Sequence, residues 1–121
     1  LFCTTPMVEV ARAVGRKRAM QMLLTGEPID AATAADWGLV NEVVPAAHLA
    51  QRTHALALQI ATASPLVLAT GKRAFYDNLE PGFAAAYDHA GGIMAASAST
   101  SDAQEGFAAF LEKRAPTWTG I

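Results

Sequence analysis

The sequence predicts a mainly α-helical fold, and three observations carry that expectation. Alanine is abundant while β-branched residues are dispersed, which favours helix over strand. Helix start and stop signals recur at short intervals along the chain. A single run, Leu39-Val40-Asn41-Glu42-Val43-Val44, reads as extended, and Pro45 terminates it.

The elements follow in order. Thr5-Pro6 supplies a cap and a first-position proline for a short helix that ends near Gly15. A second helix runs from about Arg16 to Thr25, with Met20, Leu23 and Leu24 on one face and Gly26 as its stop. Asp30 caps a short helix from Ala31 to Trp37, closed by Gly38. From Pro45 to Ala63 the spacing of Leu49, Thr53, Leu56 and Ile60 predicts one long amphipathic helix. Ser64-Pro65 ends it and opens another, carrying Leu68, Phe75 and Leu79. Glu80-Pro81-Gly82 is a break, after which a helix from Phe83 to about Ser99 places Phe83, Tyr87, Ala90 and Met94 on one stripe. The rest of that helix is small, and a mid-helix glycine costs about 1 kcal/mol relative to alanine. The Gly91-Gly92 pair therefore predicts that something approaches the backbone closely. Ser101-Asp102-Ala103-Gln104 has the S-x-x-Q form of a capping box and opens a last helix to about Arg114, ahead of Pro116.

A chain of 121 residues is the size of one ordinary domain. A formal charge of −2 and a pI near 5.9 give no electrostatic case for nucleic acid or an anionic membrane. Arg16-Lys17-Arg18 reads as the solvated first turn of a helix. The single cysteine, Cys3, cannot form an internal disulfide and has no oriented base beside it, so it reads as a small apolar filler. No apolar run approaches the roughly 18 to 20 residues a membrane helix needs. The opening LFCTTP, with no initiator Met, reads as the middle of something, and the expectation is a fragment.

Residue chemistry offers little else. His48, His54 and His89 do not fall at helical i, i+3 or i, i+4 spacings, so no pair makes a metal site. Asp102 and Glu105 read as first-turn acids at a helix N-terminus. The last helix carries an apolar face of Phe107, Phe110 and Leu111. Lys113 would lie above Gly106 and Ala109, where a cation over a shallow groove could hold a nucleotide phosphate or adenine edge. A solvated lysine favoured by the helix macrodipole fits the same spacing.

Three strings together resemble the crotonase superfamily, the enoyl-CoA hydratase/isomerase family. They are Arg12-Ala13-Val14-Gly15 with Ala19 to Ala31 (AMQMLLTGEPIDA), Ala35 to Pro45 (ADWGLVNEVVP), and Asp102 to Arg114 (DAQEGFAAFLEKR). They occur in the family's order and spacing and cover nearly the whole chain. LFCTTP, GEPI and the FLEKRAPTW-type ending look most like the enoyl-CoA hydratase domain-containing protein 3 subgroup. The resemblance implies the end of a ββα spiral over residues 1–64 and a helical trimerisation region over 65–121. It implies homo-trimers or hexamers and a coenzyme A thioester as substrate with no separate cofactor. A nucleic-acid partner has precedent in a branch of the family but finds little support in an acidic chain, and neither nucleic acid nor membrane is expected as a partner. A cytoplasmic location is expected, with a mitochondrial one as the alternative. The family's oxyanion-hole donors and two catalytic glutamates fall upstream of Leu1, so no catalytic residue is expected in this chain; Glu9 matches no such position. Lys113 matches a lysine that contacts the coenzyme A nucleotide, and Phe110 and Met94 match positions near the acyl or pantetheine channel. The segment Thr4 to Arg12 departs from the hydratase pattern P-G-x-G-G-T-x-R-L, being one residue shorter and without glycines. From a different class, the alternative is a non-catalytic helical oligomerisation module of the same ancestry.

Overall fold

The computed structural model describes residue 2 and residues 4–121; Cys3 lies outside the described residues. Among these residues are seven α-helices and no strand. The chain divides into two compact units, Leu1–Arg52 and Thr53–Ile121.

In the first unit, α1 (Thr4–Ala13) begins one residue before the position predicted for its cap, so Pro6 sits inside the first turn. Proline is tolerated there because first-turn N–H groups have no intrahelical partner. At the elbow between α1 and α2 (Arg16–Thr25), Val14 is fully buried. Helix α2 has the predicted bounds; Ala19 is buried and Leu23 half-buried, while Met20 and Leu24 are exposed. Gly26 closes α2 in the left-handed region at φ 65°, its N–H donating to the Met22 carbonyl. Nothing lies within 4 Å of a Cβ built there, so the backbone conformation alone sets the cost of substitution. Gly26→Ala is expected to destabilise the fold by about 1 kcal/mol, read as a lower urea midpoint with an unchanged slope. An unchanged midpoint would mean that the turn relaxes without cost.

The Asp30 carboxylate accepts from the Thr33 N–H at 2.7 Å and caps α3 (Ala31–Asp36), a contact that holds its pKa below the ordinary value. Leu39-to-Val44 is not a strand. The Leu39 and Val40 N–H groups both turn back to the Ala34 carbonyl, at 2.9 and 3.4 Å, and no described strand lies alongside to complete a ladder. Arg18 is more engaged than a solvated first turn implies: its guanidinium lies 5.2 Å from the Trp37 ring centroid and pairs with Asp36 at 3.4 Å.

Where one helix is predicted from Pro45 to Ala63, a 3₁₀ turn at Ala46–His48 leads into α4 (Leu49–Ala61). The second unit continues with α5 (Pro65–Asp77), α6 (Phe83–Ala98) and α7 (Ser101–Glu112). Ser64 caps α5, its hydroxyl oxygen accepting from the Val67 N–H at 3.2 Å. The cap of α7 is Thr100 rather than Ser101: the Thr100 hydroxyl accepts from the Ala103 N–H, and the Gln104 amide donates to the Ala98 carbonyl. The predicted capping box is thus displaced by one residue and loses its reciprocal half.

The apolar stripes of α4, α5 and α6 are uncovered. Leu49, Ile60, Phe75, Phe83, Tyr87 and Met94 are all exposed. The buried apolar side chains among the described residues are Val14, Ala19, Ala34 and Ala109. Among the described residues, and apart from the helix's own backbone, nothing comes within 4 Å of a Cβ built at Gly91 or Gly92, so the close approach predicted there is not made by these residues.

Candidate functional site

The end of α7 holds the two sequence-predicted residues Phe110 and Lys113, and a network of acids that sequence spacing does not reveal fixes their surroundings. Asp102 is not a solvated first-turn acid; it is 1% exposed. Its carboxylate accepts from the Ser64 hydroxyl at 2.5 Å, the Thr119 N–H at 2.7 Å, the Thr119 hydroxyl at 2.8 Å and the Gly120 N–H at 3.1 Å. The Asp102 N–H donates to the Ile121 carbonyl at 3.0 Å. The Ser64 hydroxyl first, then the Thr119 and Gly120 donors, outweigh burial and hold the carboxyl down at about 2. One carboxylate therefore ties the start of α5, the first turn of α7 and the chain's last residues together.

Trp118 lies between these anchors. Its indole N–H donates to the Thr62 carbonyl at 2.7 Å, and its ring sits 3.5 Å from a Cβ built at Gly106. Ala109 is 2% exposed. The shallow groove predicted from Gly106 and Ala109 is therefore covered at Gly106 by the chain's own indole, and Ala109 is buried.

Glu105 makes the second clasp. Both of its oxygens accept from Arg114, at 2.5 and 2.8 Å, and one accepts from the Thr117 N–H at 2.7 Å. The Arg114 guanidinium, then the Thr117 N–H, holds the Glu105 carboxyl at about 2, and Arg114 is pushed upward in return. A further hydrogen bond runs from Arg114 Nε to Glu112 at 2.6 Å.

Lys113 stands between these partners at φ 55°, ψ 40°, the one positive-φ residue other than glycine among the described residues. A side chain in that region costs about 1–2 kcal/mol, which is why glycine usually closes a helix in this way. Having left the helix, Lys113 no longer follows helical spacing over Gly106. It is exposed, and its ammonium makes no hydrogen bond or ion pair among the described residues. Phe110, one turn earlier, is 82% exposed.

Met94 is placed separately, on α6, where it lines an apolar groove of about 250 Å³ with Val67, Thr70, Ala74, Ile93 and Ser97. Neither Phe110 nor Lys113 lines that groove. Specific small-molecule sites run to roughly 300–1,000 Å³, so this open groove is not by itself a site for an acyl-CoA. Among the described residues no three His, Cys, Asp or Glu side chains are grouped to hold a metal, and His48, His54 and His89 are exposed. No helix among them is long and apolar enough to cross a membrane.

This order of helices is that of the helical C-terminal part of a crotonase fold. It superposes on the crystal structure of an enoyl-CoA hydratase of Mycobacterium smegmatis with a TM-score of 0.95 and 43% identity, over 98% of this chain and 46% of the other. The human enoyl-CoA hydratase domain-containing protein 3 gives a TM-score of 0.93 at 46% identity, over 98% of this chain and 47% of that one. The chain belongs to the enoyl-CoA hydratase/isomerase family, whose model matches residues 2–121. A curated relative, the mitochondrial enoyl-CoA hydratase domain-containing protein 3 of Xenopus laevis, is 44% identical over 98% of this chain and 40% of its own length. The chain thus spans about two fifths of that relative, and the subgroup resemblance carried by LFCTTP and GEPI agrees with it.

Proposed function

We propose that this chain is the coenzyme A-contacting and assembly-forming part of an enoyl-CoA hydratase/isomerase-type protein. In the intact protein it would hydrate or isomerise a 2-enoyl-CoA, with the catalytic glutamates and oxyanion-hole donors supplied from outside these residues. Lys113 holds the nucleotide phosphates, and Phe110 and Met94 face the acyl or pantetheine channel. The observation that carries this reading is the exposed ammonium of Lys113, without a partner among the described residues and held in a left-handed turn on a family fold whose relatives are named for enoyl-CoA chemistry. The names of the vertebrate relatives favour a mitochondrial location over the cytoplasmic one. The test is thermal unfolding of the intact protein with and without coenzyme A. Saturation at about 100 times Kd is expected to add about 2.7 kcal/mol to the native state and raise Tm by several degrees. No shift at millimolar ligand would end the binding reading.

A second reading, a helical oligomerisation module without acyl-CoA affinity, draws on the uncovered stripe of α6 and the open backbone at Gly91 and Gly92. It predicts a stable trimer or hexamer with no response to coenzyme A.

A further inference from the structure

We propose that Glu105 is a positioning residue for coenzyme A: through Arg114 and the Thr117 N–H it pins the left-handed turn that presents Lys113. This rests on the reading of Lys113 as the nucleotide contact. The geometry supporting it is independent of the family. The turn is over-determined on every side. Lys113 and Arg114 donate their N–H groups back to the Phe110 and Ala109 carbonyls at 3.3 and 3.0 Å. The Arg114 side chain is forked onto Glu105 and also meets Glu112, while the chain beyond it is held by the Thr117 N–H on the same Glu105 oxygen. Lys113 itself contributes no side-chain bond to this arrangement.

A lysine therefore occupies a position where glycine would close the helix without strain, and a set of ion pairs holds it there. Such strain persists when surrounding structure enforces it, and it collects where geometry serves a ligand. A helix end that served stability alone would gain from glycine at residue 113. What lysine adds there is a cation at a fixed place, its Cα held, so that less freedom is lost when an anion binds.

The experiment is a double-mutant cycle on the intact protein, measuring Kd for coenzyme A by calorimetry at fixed ionic strength. Lys113→Gln is expected to weaken binding about tenfold, the scale of one charge-assisted hydrogen bond. Glu105→Gln leaves the ammonium in place and keeps an acceptor for Thr117 but loses the ion pair; it is expected to weaken binding about threefold. In the Lys113→Gln background, the Glu105 substitution should have no further effect. A merely structural Glu105 would lower Tm in both backgrounds and leave Kd alone, which overturns the proposal, as would additive losses. An unchanged Kd for Lys113→Gln overturns the underlying reading of Lys113 instead. If Glu105→Gln does not fold, Arg114→Lys takes its place under the same criteria, since it keeps a charge opposite Glu105 but not the fork.

Discussion

Asp102→Ala is expected to unfasten the C-terminal tail from α5 and α7 together, lowering Tm by on the order of 10 °C. The size of the effect follows from what the carboxylate leaves behind. The Ser64 and Thr119 hydroxyls and the Thr119 and Gly120 N–H groups all donate to it, and a buried donor without an acceptor is costly. Trp118 lies just before this anchor and would lose the restraint that holds its ring against Gly106. In hydrogen exchange, the Thr119 and Gly120 amides should lose protection first, while α2 amides in the other unit should not change. Acid should produce the same effect by titration. The folded pKa of about 2 lies below the ordinary 3.8, so the native state binds fewer protons than the unfolded chain between those values. The contribution is therefore present in full above about pH 5 and is lost as pH falls towards 2. Glu105, lowered from 4.5 to about 2, adds in the same sense over the same window. The stability gap between wild type and Asp102→Ala should narrow from pH 7 to pH 2.5. A gap that stayed constant would show that packing rather than charge fastens the tail.

The legible parts of the fold were those whose cause is local. Gly26, Asp30 and Ser64-Pro65 mark helix ends because the residue that closes or caps each helix is next to it in sequence, and α2, α3 and α5 begin where predicted. The differences at the candidate site share one cause: partners distant in sequence. Nothing around Asp102 announces that Ser64 and Thr119 will meet it, so it reads as an ordinary first-turn acid. Nothing in the spacing of Gly106, Ala109 and Lys113 announces that Trp118 folds over the first, or that the helix ends before the third. The Leu39-to-Val44 run has strand-like composition but no strand to pair with. Of the site, residue identities come from the family resemblance, while the clasp that holds Lys113 joins Glu105 to Arg114 and Thr117, beyond the reach of any helical spacing rule.

The 121-residue chain by itself is expected to self-associate at micromolar concentration and to bind an apolar dye. Apolar side chains that a compact chain would bury are here on the outside: Phe83 is 81% exposed, Leu111 79%, Met94 70% and Tyr87 67%. Uncovered stripes of this kind exceed the scattered surface hydrophobes of an ordinary monomer and mark contact surfaces. On α6 the pattern is especially suited to a partner. Phe83 and Tyr87 already meet as a tilted ring pair, centroids 4.8 Å apart, so less side-chain freedom remains to be lost on contact. Beyond them Gly91 and Gly92 leave the backbone open to a close neighbour. Burying an aromatic ring is worth about 1.5–3 kcal/mol, so replacing both Phe83 and Tyr87 with Ser should raise the dissociation constant of the assembly by roughly a hundredfold or more. Helix content should be nearly unchanged, because both side chains are mostly exposed and their ring contact is with each other on the surface of α6. Sedimentation velocity over a concentration series reads both species. A wild-type chain that stayed monomeric at 100-fold above the expected micromolar range would mean that these faces are not contact surfaces. Dispersal of the assembly by Phe110→Ser and Leu111→Ser, but not by the α6 pair, would move the contact to the end of α7, beside Lys113. In that case a second copy and the nucleotide would compete for the same surface or share it.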